Sequence, residues 1–326
     1  MKKIVNIYKN FMNGFTYIIP LAVVGGVFLT LNIQIDNPSL FDFGSIAFFL
    51  IYPILASFIA FAIGDRPAFV LGLLAGAIVT VKGGGFLSAT LIGFSSGYLI
   101  LLFNFLFKKM PYGIKSLNPV FIYPILGTAI MFFVIQGFEI TIFPVEFFVR
   151  DIYSNLDKIF IIILVGILSL MMAIDLGGPI NKIAYIIGIL TILSGNESFV
   201  MPAVMIAGMM PPLVIASSAL IFKNKYSEKE HILAKRNWLL GLSFITEGAI
   251  PFIKKDKKIK YIFILASMTA GIASAFFDVS SLIAHGGILS VIFMNNAFMF
   301  LIILVLATLI FGLILGLILK KNEVQM

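Results

Sequence analysis

Glu247 is the first residue that demands a chemical explanation. It lies in residues 237–252, NWLLGLSFITEGAIPF, an apolar stretch between two lysine-rich runs, KNKYSEKEHILAKR (223–236) and KKDKKIK (254–260). Short lysine-rich loops stay on the cytoplasmic side of a membrane. The stretch therefore begins and ends on one side. It is too short to cross twice, because one crossing takes about 20 helical residues. A re-entrant hairpin is the economical reading. Irregular backbone at that depth needs protein or a water-filled cavity around it, and an ionisable group there marks a functional site. A carboxylate accepts hydrogen bonds from hydroxyls and can take a proton. The blander reading is a Glu that snorkels to the headgroups at a hairpin end. The position of Glu247 inside the apolar run disfavours it.

Three further polar clusters interrupt apolar runs. In DLGGPINK (175–182), Asp175 and Lys182 flank Gly-Gly-Pro, as in a broken helix whose freed amides can bind hydroxyls. Asn181 adds a donor and an acceptor. A short loop with a stray ion pair is the alternative. In GDRP (64–67), Asp65 and Arg66 can pair and meet a polar substrate. The alternative is a helix-end turn, with Asp65 as N-cap and Pro67 at the first helical position. In AHGG (284–287), His285 precedes two glycines that open the backbone, although a lone His is commonly a satisfied core residue. His231 sits in a charged loop and reads as solvated. The GGG at 83–85 lacks the strand and the Lys-Ser/Thr of a nucleotide loop, so it reads as a helix break.

These residues must be held by membrane helices. Of 326 residues, 60% are hydrophobic and 12% charged, whereas a soluble domain carries roughly 25% charged residues. Apolar runs fall near 15–33, 45–63, 68–81, 86–107, 119–138, 159–174, 183–194, 199–222, 261–283 and 297–319. That gives an all-α protein with about ten transmembrane helices, re-entrant hairpins and broken helices. Lysines at both ends place both termini in the cytoplasm, and the 34–42 and 139–158 loops outside. The two shortest runs, 68–81 and 183–194, adjoin Gly-rich breaks, the pattern of discontinuous helices around a midplane site. No internal repeat or linker divides the chain, so residues 1–326 read as one membrane domain. The basic start lacks a small-residue cleavage site, so no signal peptide is expected. The net charge of +8 resides in loops, which topology explains better than nucleic-acid binding. With no cysteine and two histidines, disulfides, thiolate metal sites, a cysteine nucleophile and a His-rich metal site are excluded, and no cofactor is expected.

Taken together, the motifs resemble the fructose-type membrane (IIC) component of the bacterial phosphoenolpyruvate-dependent sugar phosphotransferase system. The matching segments are GFTYIIPLAVVGG (14–26), IGDRPAFVLGLLAG (63–76), GGGFLSATLIGFSSGY (83–98), AIDLGGPINKIAY (173–185), MPAVMIAGMMPPL (201–213), GLSFITEGAIPF (241–252) and AHGGI (284–288). Each alone is weak. In this order, and over nearly the whole chain, they are specific. ITEG looks like the Gly-Ile-Thr-Glu signature of the wider sugar-IIC superfamily, with Phe244 where Gly often stands. AHGG replaces the commoner Pro-His-Gly-Gly, and GDRPAFVLG has Ala-Phe where the family more often has Pro-Gly after Arg-Pro, and no Pro before the next Gly. No charged site residue is lost.

The resemblance implies a sugar-IIC permease fold and a homodimer in the bacterial cytoplasmic membrane. Such a permease binds an external sugar, here fructose, and moves it by an elevator-like shift. A phosphocysteine on a IIB protein, charged through IIA, then phosphorylates it. The chain would thus be the membrane subunit of a protein-phosphohistidine–sugar phosphotransferase. Glu247 corresponds to the family's sugar-binding Glu and His285 to a His at the same site. Asp175, Asn181 and Lys182 match a motif of less defined role. The basic loops suit docking of an acidic IIB face. Broken helices and buried carboxylates serve an ion-coupled secondary sugar transporter equally well, so that class stays open at this point.

Overall fold

The computed structural model describes residues 2–111, 117–137, 155–193, 197–284 and 287–319. It is helical nearly throughout. Seven described helices are long and apolar enough to cross a membrane, and two shorter apolar helices, Lys158–Ile174 and Pro179–Leu193, add to them. This is the architecture of a multi-pass all-α membrane protein. The contacts divide the chain into two compact units, Met1–Val149 and Arg150–Met326.

The first unit contains α1 (Lys2–Ile35), α2 (Pro38–Val81), α3 (Phe86–Leu106) and α4 (Tyr123–Gly137). The 44 residues of α2 are not one rod. Asp65 is non-helical (φ 61°, ψ −159°), and the chain reverses there. A Cβ on Gly72 would meet the Ala56 carbonyl and the Ala60 Cβ at 2.8 Å, and one on Gly76 would meet the Ala56 Cβ at 2.9 Å. The Phe58 and Phe69 rings lie 5.3 Å apart, edge to face. Residues eleven or sixteen apart in a straight helix stand about 16–24 Å apart, so these contacts require a hairpin. The separate runs at 45–63 and 68–81 are its two arms. The sequence suggests about ten transmembrane helices; among the described residues seven are long enough to cross, with the two arms of α2 counted as one and two shorter apolar helices besides. Small residues let the backbones approach, the usual means of helix association where no hydrophobic force acts. Gly93 of α3 and Gly14 of α1 press on the first arm at Ala56 and Leu55–Ile59.

The second unit contains α5 (Lys158–Ile174), α6 (Pro179–Leu193), α7 (Val200–Ile221), α8 (Glu228–Leu242), α9 (Ile250–Lys255), α10 (Ile259–Phe276) and α11 (Ala297–Ile318). α7 is apolar all round and buried over nearly its whole length, as a central helix must be. α5, α8, α10 and α11 surround it. Pro211 lacks the N–H that would bond the Ala207 carbonyl. Ser267 of α10 donates its hydroxyl to that carbonyl instead (2.7 Å), so the lesion in one helix becomes a bond between two. Lys225 Nζ donates to the Gly316 carbonyl (2.7 Å) at the C-terminal end of α11, where cations are favoured. A short antiparallel pair, β1 (Ser280–Ser281) and β2 (Met294–Asn295), is joined to Ser198 through Ser281.

Candidate functional site

The DLGGPINK motif is a turn between two helices. Gly178 N–H donates to the Asp175 carbonyl (3.2 Å), and the two central residues, Leu176 (φ 44°) and Gly177 (φ 90°), are both left-handed. Gly177 suits that geometry and Leu176 is strained by it. Pro179 then opens α6. Asp175 Oδ2 accepts from Ile180 N–H (2.7 Å) and Oδ1 from Asn181 N–H (2.9 Å). The carboxylate therefore caps the positive end of α6. Two of the amides freed by the break are thus already taken. Asn181 is buried and donates Nδ2–H to the Met172 carbonyl (2.7 Å), tying the start of α6 to the end of α5. Lys182, partly buried, stands on the first turn of α6.

The 237–252 stretch forms the expected hairpin. α8 ends at Leu242, the chain turns through Ser243–Ile245, and a 3-10 turn over Thr246–Ala249 carries Glu247 into α9. The base is clamped. Ser227 and Glu230 form a reciprocal capping box at the start of α8. Lys255, at the end of α9, pairs with Glu230 at 2.7 Å. The two lysine-rich runs thus meet where the hairpin begins and ends.

The Glu247 carboxylate is exposed and lies against Gly177. A Cβ at Gly177 would overlap that carboxylate. Sequence positions 70 residues apart are thereby joined: the acid of ITEG rests on the glycine turn of DLGG. Gly287 (φ 56°), from the AHGG motif, lies against the Leu242 carbonyl and Ser243, which brings a third motif to the same hairpin. His285 itself falls outside the described residues. Asp65 and Arg66 belong to the first unit. Both are exposed at the α2 reversal, where Asp65 Oδ1 accepts the Arg66 backbone N–H (2.9 Å). No ion pair forms between them among the described residues.

Two residues have structural roles that the sequence reading does not assign. Asn237 is buried beneath the hairpin with its Oδ1 against Gly248, and its Nδ2 has no partner among the described residues. A buried amide donor without a partner costs about 1–3 kcal/mol, so it is retained against a penalty, one turn from the Glu247 loop. Its only signal is an Asn opening an apolar run. Phe244 adopts φ 62°, the conformation that favours the Gly often found there. Its ring lies over Gly208 and meets Tyr185 edge-on at 5.6 Å, anchoring the turn to α6 and α7. Among the described residues no three His, Cys, Asp or Glu side chains gather to hold a metal.

The fructose permease IIC component of Bacillus amyloliquefaciens is 37% identical over 277 residues, covering 84% of this chain and 90% of that protein. The chain belongs to the fructose-type IIC family of phosphotransferase-system permeases. The PTS system fructose-specific EIIC component of Haloferax volcanii is 33% identical over 348 residues, 95% of this IIC chain and 91% of that one. The PTS system fructose-specific EIIABC component of Bacillus subtilis is 33% identical over 332 residues, 96% of this chain but 52% of the relative. The IIC chain therefore spans about half the length of that fused protein. No family model and no solved structure matches. These relatives do not favour an ion-coupled transporter.

Proposed function

We propose that this IIC permease carries fructose across the cytoplasmic membrane and presents it for phosphorylation by a separate IIB protein. One observation carries the reading: the Glu247 carboxylate is exposed on the Gly177 turn, where an acid meets two left-handed residues. Glu247 accepts from the sugar hydroxyls and orients O1. In the chemical step O1 attacks the phosphorus of the IIB phosphocysteine. The O1–P bond forms, the S–P bond breaks, the thiolate leaves, and Glu247 takes the O1 proton. Such transfers depend chiefly on positioning and charge. Asn181 and Asp175 hold the turn through their bonds to Met172 and the α6 amides. Lys182 faces hydroxyls or the incoming phosphoryl group, and His285 hydrogen-bonds the sugar. Asp65 and Arg66, exposed at the reversal of α2, offer a polar substrate contact on the first unit by itself.

The partners follow the same reading: IIB docking on the basic runs, IIA upstream, and a second copy of the chain in a homodimer. Both termini lie in the cytoplasm, and both units belong to one IIC domain. The names of the fused relatives, EIIABC and EIIB'BC, support the IIA and IIB assignments. The test is uptake of radiolabelled fructose into vesicles holding the protein, with phosphorylated IIB inside or absent. Fructose phosphate formed only with phosphorylated IIB is the expected result. Free sugar accumulating on an ion gradient overturns it. Glu247→Gln should depress phosphorylation more than fructose binding; equal loss of both would remove the general-base role.

A further inference from the structure

A second cavity, apart from the Glu247 turn, lies where α7 ends and α8 begins. It has a volume of about 340 Å³ and is lined by Ala216, Ala219, Leu220, Lys223, His231, Ala234, Lys235 and Trp238. Two lysines and a tryptophan share it with three alanines, and among the described residues no carboxylate lines it. Glu230, in the first turn of α8, is engaged by Lys255. His231 Nε2 donates to the Lys223 carbonyl (2.9 Å), which pins one wall to the other.

The rim is apolar as well as basic. Ile232 and Leu239 flank Lys235 at helical spacing on α8, and they are 53% and 70% exposed. Leu220, at the end of α7, is 62% exposed. Side chains of this kind beside lysines on one helix face belong at the boundary of headgroups and hydrocarbon, not in bulk water. Tryptophan favours the same level. A basic pocket between helices at that depth fits an anionic headgroup. We propose that this cavity binds the phosphate headgroup of an anionic phospholipid, with Lys223 and Lys235 on the phosphate and the glycerol against Trp238 and Leu220. IIB docking then falls to 254–260 and to those lysines of 223–236 that do not line the cavity.

Trp238 is the sole tryptophan of the sequence, so it reports on the cavity without labelling. The purified full chain is placed in phosphatidylcholine vesicles doped with either brominated phosphatidylglycerol or brominated phosphatidylcholine, and Trp238 quenching is followed against mole fraction. Two lysines at the surface correspond to a preference of roughly thirty-fold for the anionic lipid. That preference should disappear in Lys223→Gln/Lys235→Gln and persist in Lys254→Gln/Lys257→Gln. Superimposable curves for the two lipids in the unaltered protein overturn the proposal without need of any variant, and leave the cavity to a soluble acidic partner. A preference lost equally in both variants reduces the effect to general surface charge and also overturns it. So does displacement of the lipid by millimolar inorganic phosphate, which would assign the cavity to a free anion.

Discussion

Gly177 holds the Glu247 carboxylate by leaving room for it. Gly177→Ala adds a methyl group where the carboxylate lies, on a backbone at φ 90°. Misplacing a reacting group by about 1 Å can cost roughly 100-fold in rate. Phosphorylated-sugar formation should fall by about that factor while the protein still elutes as a single species on size exclusion; near-normal turnover would detach Gly177 from the site. Phe244 poses a contest between strain and packing. Phe244→Gly relieves about 1–2 kcal/mol of left-handed strain, but truncating a buried Phe costs about 3–5 kcal/mol. The variant should therefore be less stable, by about 1–4 kcal/mol, seen as a lower unfolding temperature in detergent. A raised midpoint would mean that the Gly208 and Tyr185 contacts contribute little. At this scale the sequence reveals charge and hides conformation. Glu247 stands out because a carboxylate is rare inside an apolar run. Asp175 and Asn181 read as ligands, but their capping and tethering bonds depend on a fold that spacing alone does not show. Phe244 and Leu176 are left-handed against their propensity, because tertiary packing overrides it. Asn237 is silent because an amide at the edge of an apolar run looks like the end of a loop.

Among the elements, the α8–α9 hairpin has a pH-sensitive clasp. Burial opposes ionisation of Glu230, but Lys255 and the Ser227 backbone and hydroxyl outweigh it and hold the carboxyl below its ordinary value of 4.5. A depressed acid stabilises the folded state above its ordinary pKa, and the contribution is lost as pH falls through the folded value. Hydrogen exchange in α9, corrected for intrinsic rate, should therefore rise on acidification from about pH 6 to about pH 3. Glu230→Gln should exchange fast at both ends of that range; an unchanged acid step in the variant would point to another group. The hairpin is legible in the sequence from its two lysine runs. The α2 reversal is half legible. Two apolar runs around GDRP are visible, but their tight packing depends on Gly72 and Gly76 facing Ala56, a pairing across sixteen and twenty residues that no local pattern announces. Gly72→Leu overfills that contact at a cost of about 1–3 kcal/mol or more, and should lower both yield and thermal midpoint more than Gly72→Ala does.

For the whole molecule, orientation is the property that charge placement sets and that labelling can read. The chain has no cysteine, so single-cysteine variants report without background. Lys257→Cys should react with a membrane-impermeant maleimide from the cytoplasmic side, and Asp36→Cys from the other; the reverse pattern would invert the topology. The class of protein is legible from composition because a membrane demands apolar length. The division into two compact units is not, since it rests on which helices meet. The reversal at Asp65 also governs how the chain enters the bilayer in the first place. Its returning arm, about 16 residues from Arg66 to Val81, is shorter than the roughly 20 that partition stably alone. It can settle only against a neighbour already present. The returning arm therefore inserts only against the first, after some eighty residues have been synthesised, and a ribosome stalled short of Val81 should leave the first arm inserted without its partner.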